Sequence, residues 1–139
     1  MMAVTIRPIA EFLEDQEVLA QVPKEMIPFA EKPHPWTGFI GFEGDQVIGV
    51  CGFKGEPKDQ AVEIAYFTFP GNEGRGCATG MAHGLVALAK ESGKVNQVIA
   101  HTLKEKNAST SILKKLSFEF NGEVMDPEDG SVWRWSLNL

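Results

Sequence analysis

The sequence is short of the residues that would commit it to metal, redox or membrane chemistry. It holds two cysteines, Cys51 and Cys77, and none of its three histidines stands at ligand spacing with them, so no metal cluster is expected. The two thiols read as reduced, half-buried side chains of a cytoplasmic protein. No apolar run approaches membrane-spanning length, and the opening MMAVTIRPIAEF lacks the apolar stretch of a signal peptide. Basic residues number 13 against 19 acidic ones, and the net charge of −6 argues against nucleic acid or an acidic membrane as partner.

What is present suits one globular domain spanning residues 1–139. Hydrophobic residues make up 43% and charged residues 23%, enough to build a core without staples. AVTIRPI reads as a strand, AEFLEDQEVLAQV as a helix ended by Pro23, and KEMIPFAEK as a short helix interrupted by Pro28. KPHPWT is too rich in proline for regular structure. GFIGFEGDQVIGVCGFKG has the pattern of a hairpin, and AVEIAYFTF that of a further strand. A helix follows, with Ala78, Met81, Ala82, Leu85, Leu88 and Ala89 on one apolar stripe and Gly93 at its end. VNQVIAHTL, NASTSILKKL, FEFNGEVM and SVWRWSL then read as strand, helix, strand, strand. Antiparallel strands surrounding one β-α-β crossover predict a mixed-sheet α/β (α+β) domain, not a doubly wound one.

The segment GNEGRGCATG, residues 71–80, lies between a strand and a helix and offers bare backbone N–H groups to an anion. No Lys-Ser or Lys-Thr follows its glycines, so it is not a P-loop. Thr79 stands where the third glycine of the dinucleotide fingerprint belongs, and the loop lies mid-chain after a hairpin.

EGRGCATGMAHGLVALA resembles instead the acetyl-CoA-binding loop and helix of the GNAT acyltransferase superfamily, with its Gln/Arg-x-x-Gly-x-Gly/Ala motif. Gly76 and Ala78 match the last two fixed positions, whereas Glu73 stands at the Gln/Arg position. EKNASTSILKKLSFEFNGEV is similar to the Asn-x-x-Ser…Leu-x-Lys-Leu-Gly-Phe stretch of the ribosomal-protein-acetylating branch, through Asn107, Leu113, Lys115, Leu116 and Phe118. Ser117 replaces the glycine that ends the helix there, at a cost of about 1 kcal/mol if it adopts the left-handed conformation. The resemblance covers about residues 46 to 138 and extends to the terminal hairpin.

That resemblance implies a mostly antiparallel sheet of about six or seven strands with helices on both faces and a central β-α-β cofactor-binding unit. It implies N-acetyl transfer from acetyl-CoA to a primary amine of a small molecule or peptide; the alternative is a GNAT-fold module that binds acyl-CoA without appreciable catalysis. Pyrophosphate would lie on the backbone of Gly74, Arg75, Gly76, Cys77, Ala78 and Thr79, and the pantetheine arm along Phe67, Thr68 and Phe69. Asn107 would bond that arm as well as cap its helix. Glu63 is the candidate general base. Many members carry a tyrosine in the late helix; here its place falls near Leu113, and Tyr66 is the only tyrosine. Ser109 or Ser111, a water, or no group at all is left to assist the departing thiolate. His101, on the strand facing the cleft, reads either as a proton relay or as a packed histidine. The acceptor is not specified by any local motif, and the protein is expected to be a monomer or homodimer.

Overall fold

A computed structural model describes residues 3–74 and 76–139. Strand β1 (Val4–Pro8) leads into a 3-10 turn (Ile9–Phe12), the four-residue helix α1 (Gln16–Leu19) and a 3-10 segment (Lys24–Glu31). Then come β2 (Gly38–Glu43), β3 (Gln46–Phe53), β4 (Ala61–Thr68), α2 (Cys77–Ser92), β5 (Gln97–Thr102), α3 (Ala108–Lys115), β6 (Glu119–Asp126) and β7 (Gly130–Asn138). The strands form one seven-stranded sheet in the order β1-β2-β3-β4-β5-β7-β6. Only β4 and β5 run parallel; the other neighbours are antiparallel. This is the mixed sheet that the sequence predicts.

The first helices depart from the sequence reading. A continuous helix over residues 10–22 does not form, because the Asp15 side chain accepts the Val18 N–H at 3.1 Å and starts a new helix there. Asp15 thus acts as an N-cap inside the expected helix and splits it. Ile9 and Phe12 are nevertheless buried, since the 3-10 turn delivers both to the sheet. Lys24–Glu31 also winds as 3-10 rather than α, with Pro28 inside it.

Helices cover both faces. On one, α2 and α3 bury Met81, Ala82, Leu85, Ala89 and Leu113 against Phe39, Ile48, Phe53, Ile64 and Val98. On the other, the N-terminal turns bury Ile9, Phe12 and Val22 on Ile40, Phe42, Val47 and Val50. Each such Val, Leu, Ile, Met or Phe side chain contributes about 1.5–3 kcal/mol by leaving water. The stripe read along α2 forms as expected, except that Ala78 and Leu88 are only partly buried. Gly80 sets the depth of that packing. A Cβ there would stand 2.5 Å from Val4 Cβ, so only glycine lets α2 lie this close to β1. Cys51 and Cys77 are fully buried and unpaired, not half-buried, because each packs between sheet and helix in the larger core. Burial pushes the Cys51 thiol far above its ordinary range.

The α3 terminus carries the expected strain. Phe118 N–H donates to Leu113 O at 2.9 Å and Ser117 N–H to Lys114 O at 3.0 Å, a Schellman ending. Ser117 occupies its left-handed position with φ +72°.

The sheet opens in its middle. β4 and β5 are paired only over Ala61–Glu63 and Gln97–Ile99. Beyond that, Ile64–Thr68 stays with β3 while Ala100–Thr102 follows β7. The buried Trp135 indole N–H donates to Thr102 Oγ1 at 3.1 Å and holds the diverging end of β5. Among the described residues, the second edge of β4 beyond Glu63 has no strand beside it.

Candidate active site

Glu63 is the last β4 residue paired with β5, so it stands where the two strands part. Along β4, Val62 and Ile64 turn into the core while Glu63, Ala65 and Phe67 share the opposite face. The Glu63 side chain keeps 24% of its surface exposed and has two close neighbours. Lys54 Nζ lies 3.3 Å from its Oε2, and His101 Nδ1 lies 3.4 Å from the same oxygen. Lys54 is brought there by its backbone, whose N–H donates to Glu63 O at 2.9 Å.

His101 Nδ1 also lies 3.1 Å from Asp126 Oδ2. Ionised carboxylates only accept, so the nitrogen between them carries the proton. Asp126 is held from a third direction. Its Oδ1 accepts the Glu128 and Asp129 N–H groups at 2.8 and 3.0 Å. Those two bonds, then His101 and Lys54, hold its carboxyl below the usual carboxylate range against the opposing effect of burial. Lys54 is shifted upward: desolvation opposes its charge, but Glu63, Asp126 and Asp129 together outweigh that. Ligand atoms of Glu63, His101 and Asp126 lie within 4.8 Å of one another, a spacing that suits a cation. The Lys54 ammonium places one positive charge at the edge of this group, against Glu63.

A cavity of about 190 Å³ at the divergence is lined by Glu63, Tyr66, Ala100, His101 and Ser109, among others. Tyr66 and Ser109 are neighbours in its wall, and burial pushes the Tyr66 phenol up to about 12 while the Ser109 hydroxyl acts in the opposite direction. The serine alternatives separate here. Ser109 lines the cleft, whereas Ser111 is exposed and borders a different, open cavity. Sequence reasoning sought a tyrosine in the late helix and missed that β4 brings Tyr66 to the start of that helix. The available signal was a lone tyrosine three residues beyond Glu63.

Asn107 caps α3 as expected. Its Oδ1 accepts the Thr110 N–H at 3.1 Å, and Thr110 Oγ1 accepts the Asn107 N–H at 3.0 Å. Its Nδ2 has no hydrogen-bond partner among the described residues.

Gly76, with φ +79°, is the N-cap of helix α2 and offers no side-chain cap, and the first turn has no acidic residue. Gly74 is likewise left-handed, and a Cβ at either glycine would meet nothing within 4 Å. The N–H groups of the first turn therefore face an open, electropositive helix end. Cys77 itself is buried, while Ala78 and Thr79 are partly exposed. Arg75 lies outside the described residues. Glu73 is exposed. An open cavity of about 460 Å³ joins Thr79 to Ser111, Lys114 and Lys115 of α3. The adjacent lysine pair stands in the sequence, but only the fold brings it across from the start of α2. Phe67 is 53% exposed, Phe69 lies beyond the end of β4 with its N–H donated to Ile48 O at 2.9 Å, and Thr68 Oγ1 is buried without a partner. An orphan hydroxyl is a polar atom that an arriving group can satisfy.

Residues 6–119 match the family model described as Acetyltransferase (GNAT) domain. The chain belongs to this acetyltransferase family. No curated protein matches it in sequence. Solved structures share its fold at low identity. The yncA protein of Salmonella typhimurium, a putative acetyltransferase with acetyl-CoA, superposes with TM-score 0.72 and 19% identity, covering 99% of this chain and 94% of that one. A Salmonella typhimurium acetyl transferase that modifies the N-terminal serine of ribosomal protein L7/L12 gives TM-score 0.75 at 14% identity, over 100% and 96%. RimL, an L7/L12 α-N-protein acetyltransferase in complex with coenzyme A, gives 0.66 at 17% identity over 74% of this chain. The match spans 62% of RimL.

Proposed function

We propose that this protein transfers the acetyl group of acetyl-CoA to a primary amine by direct attack of the amine on the thioester. The observation that carries this reading is the placement of Glu63 at the point where β4 and β5 part, in one cleft with Ser109 and Tyr66. Acetyl-CoA supplies an activated acyl group, so the protein has to anchor it, strip a proton from the amine and ease departure of the thiolate.

The residues present suit those tasks. The N–H groups opening α2, with Gly74 and Gly76 leaving open space above them, receive phosphate, and Lys114 and Lys115 add positive charge across the cavity. The free edge of β4 at Phe67 and Thr68, the Phe69 backbone just beyond it, the Thr68 hydroxyl and the Asn107 Nδ2 bind the pantetheine arm. Glu63 takes the ammonium proton, while His101 and Asp126 hold its carboxylate in place from one side and Lys54 from the other. Ser109 faces the leaving sulfur. A phenol near 12 cannot readily surrender its proton to a thiolate whose acid titrates near about 8.5. Tyr66 therefore orients the Ser109 hydroxyl, which stabilises the thiolate by a hydrogen bond.

The exposed Glu73 at the position of a family Gln or Arg favours the second reading, a module that binds acyl-CoA without turnover. One experiment separates the two: coenzyme A release and product mass, followed over a panel of amines and peptides. Acetylated product is expected. Saturable acetyl-CoA binding with no product on any amine would establish the module instead.

A further inference from the structure

Beside the catalytic cleft lies a second cavity of about 240 Å³ with a different character. It is walled by Met26 and Phe29 of the 3-10 segment, Val50 of β3 and Ala65 and Phe67 of β4, and its one charged lining residue is Lys54. It shares Lys54, Ala65 and Tyr66 with the cleft, so the two adjoin. Resting on the acetyl-transfer reading above, we infer that the acceptor is a primary amine carried on an apolar, uncharged group, which this cavity receives.

The pleat of β4 sets the arrangement. Glu63, Ala65 and Phe67 lie on one face, with about 7 Å between successive members of the row. An amine held at Glu63 therefore projects its substituent over Ala65 toward Phe67, Met26 and Phe29. The cavity has room for a short alkyl chain or a small ring. A charge on the tail would find no acidic partner there, since the cavity wall holds no carboxylate among the described residues and the Lys54 ammonium at its edge is already paired with Glu63 and Asp129 at 3.3 and 3.8 Å. A polar cavity also borders Glu63, lined by Glu56, Lys58, Asp59 and Arg134 among others. Charged walls are satisfied by water, but the apolar hollow and the half-exposed Phe67 ring are not. That asymmetry selects the apolar cavity for the acceptor.

The test measures kcat/KM for coenzyme A release with saturating acetyl-CoA. Ethylamine, 3-methylbutylamine, pentylamine and 1,5-diaminopentane compare tails at similar basicity; peptides beginning with Leu or Ser compare N-termini. 3-Methylbutylamine is expected to exceed ethylamine, and pentylamine to exceed 1,5-diaminopentane, each by on the order of 10²-fold. The Leu peptide should exceed the Ser peptide, and the faster of the two apolar arms identifies a free amine or a chain terminus as the source. Met26→Glu should shrink both preferences and raise the diamine relative to pentylamine. Faster transfer to ethylamine, the diamine or the Ser peptide in the unaltered protein overturns the apolar acceptor while leaving acetyl transfer intact. If no amine reacts, the acetyl-transfer reading fails instead, and the Met26 methyl resonance decides the rest. A saturable shift with 3-methylbutylamine but not with the diamine keeps the apolar site; no shift overturns it.

Discussion

Lys54 Nζ lies 3.3 Å from Glu63 Oε2, so the candidate base carries its own counter-ion within the cleft. The pair fixes the Glu63 carboxyl where the strands part, because Lys54 restrains it from one side while its other flank faces the cleft. Glu63→Gln preserves the shape but cannot take the proton. Turnover at neutral pH is expected to fall by roughly 10²-fold or more. The deficit should narrow as pH rises and free amine appears in solution, with acetyl-CoA affinity unchanged. Rate profiles of parent and variant from pH 6 to 9 check this, and superimposable profiles would remove Glu63 from the chemistry.

Asp126 yields a stability prediction with a defined sign. Its folded carboxyl titrates below the ordinary range, mainly because the Asp129 and Glu128 N–H groups bond the charged form. A depressed folded pKa contributes stability above the unfolded value of about 3.9 and loses it as pH falls through the folded one. Asp126→Asn is therefore expected to be less stable than the parent at pH 7, with the gap closing below about pH 4. Urea melts at pH 7, 5 and 3 measure it. A gap independent of pH would assign the effect to packing.

Much of this fold is legible one segment at a time. The α2 stripe, the Asn107 cap, the Gly44 turn of the β2–β3 hairpin and the strained Ser117 all depend on neighbours within a few residues, where periodicity and capping rules operate. The N-terminal helix is less legible, because Asp15 competes as a cap, a choice that the apolar spacing of Ile9, Phe12 and Leu13 does not reveal. The cleft pairs are less legible still. Tyr66 meets Ser109, and His101 meets Asp126, only because α3 returns to the opening of the sheet and β7 inserts between β5 and β6. No local pattern encodes that order.

Ser117 offers a test of strain outside the site. Its φ of +72° suits glycine, and the Schellman bonds around it fix that conformation. Ser117→Gly should raise stability by up to about 1 kcal/mol, with the extra freedom of glycine in the unfolded chain taking back part of the gain. Thermal unfolding measures it, and a lower midpoint would show that the serine side chain contributes more than its backbone costs.

Asn107 has two atoms with two separable duties. Oδ1 caps α3, and Nδ2 has no partner among the described residues. Asn107→Asp keeps the acceptor and adds negative charge at a helix N-terminus, so stability should hold or rise by a few tenths of a kcal/mol. It removes the amide donor, so acetyl-CoA affinity is expected to fall by about 10-fold, the equivalent of one hydrogen bond. Melting curves and calorimetric titration read the two separately. Unchanged affinity would confine Asn107 to capping.

The two serines of α3 give the sharpest contrast, because they sit two positions apart on one helix yet border different cavities. Ser109 lines the cleft with Glu63 and Tyr66, whereas Ser111 is exposed near Thr79, Lys114 and Lys115. Ser109→Ala removes the hydroxyl proposed to face the departing sulfur and leaves the partly buried Tyr66 phenol without that neighbour. Loss of one stabilising hydrogen bond in the transition state is expected to lower kcat by about 10- to 100-fold with little change in KM for acetyl-CoA. Tyr66→Phe leaves Ser109 in place but unoriented, so its loss should be smaller, and the double variant should be no worse than Ser109→Ala alone. Ser111→Ala should leave kcat unchanged. Single-turnover rates on the four proteins check the set. Equal losses from Ser109→Ala and Ser111→Ala would mean that neither hydroxyl faces the sulfur. Strictly additive losses from Ser109→Ala and Tyr66→Phe would mean that the phenol acts on its own.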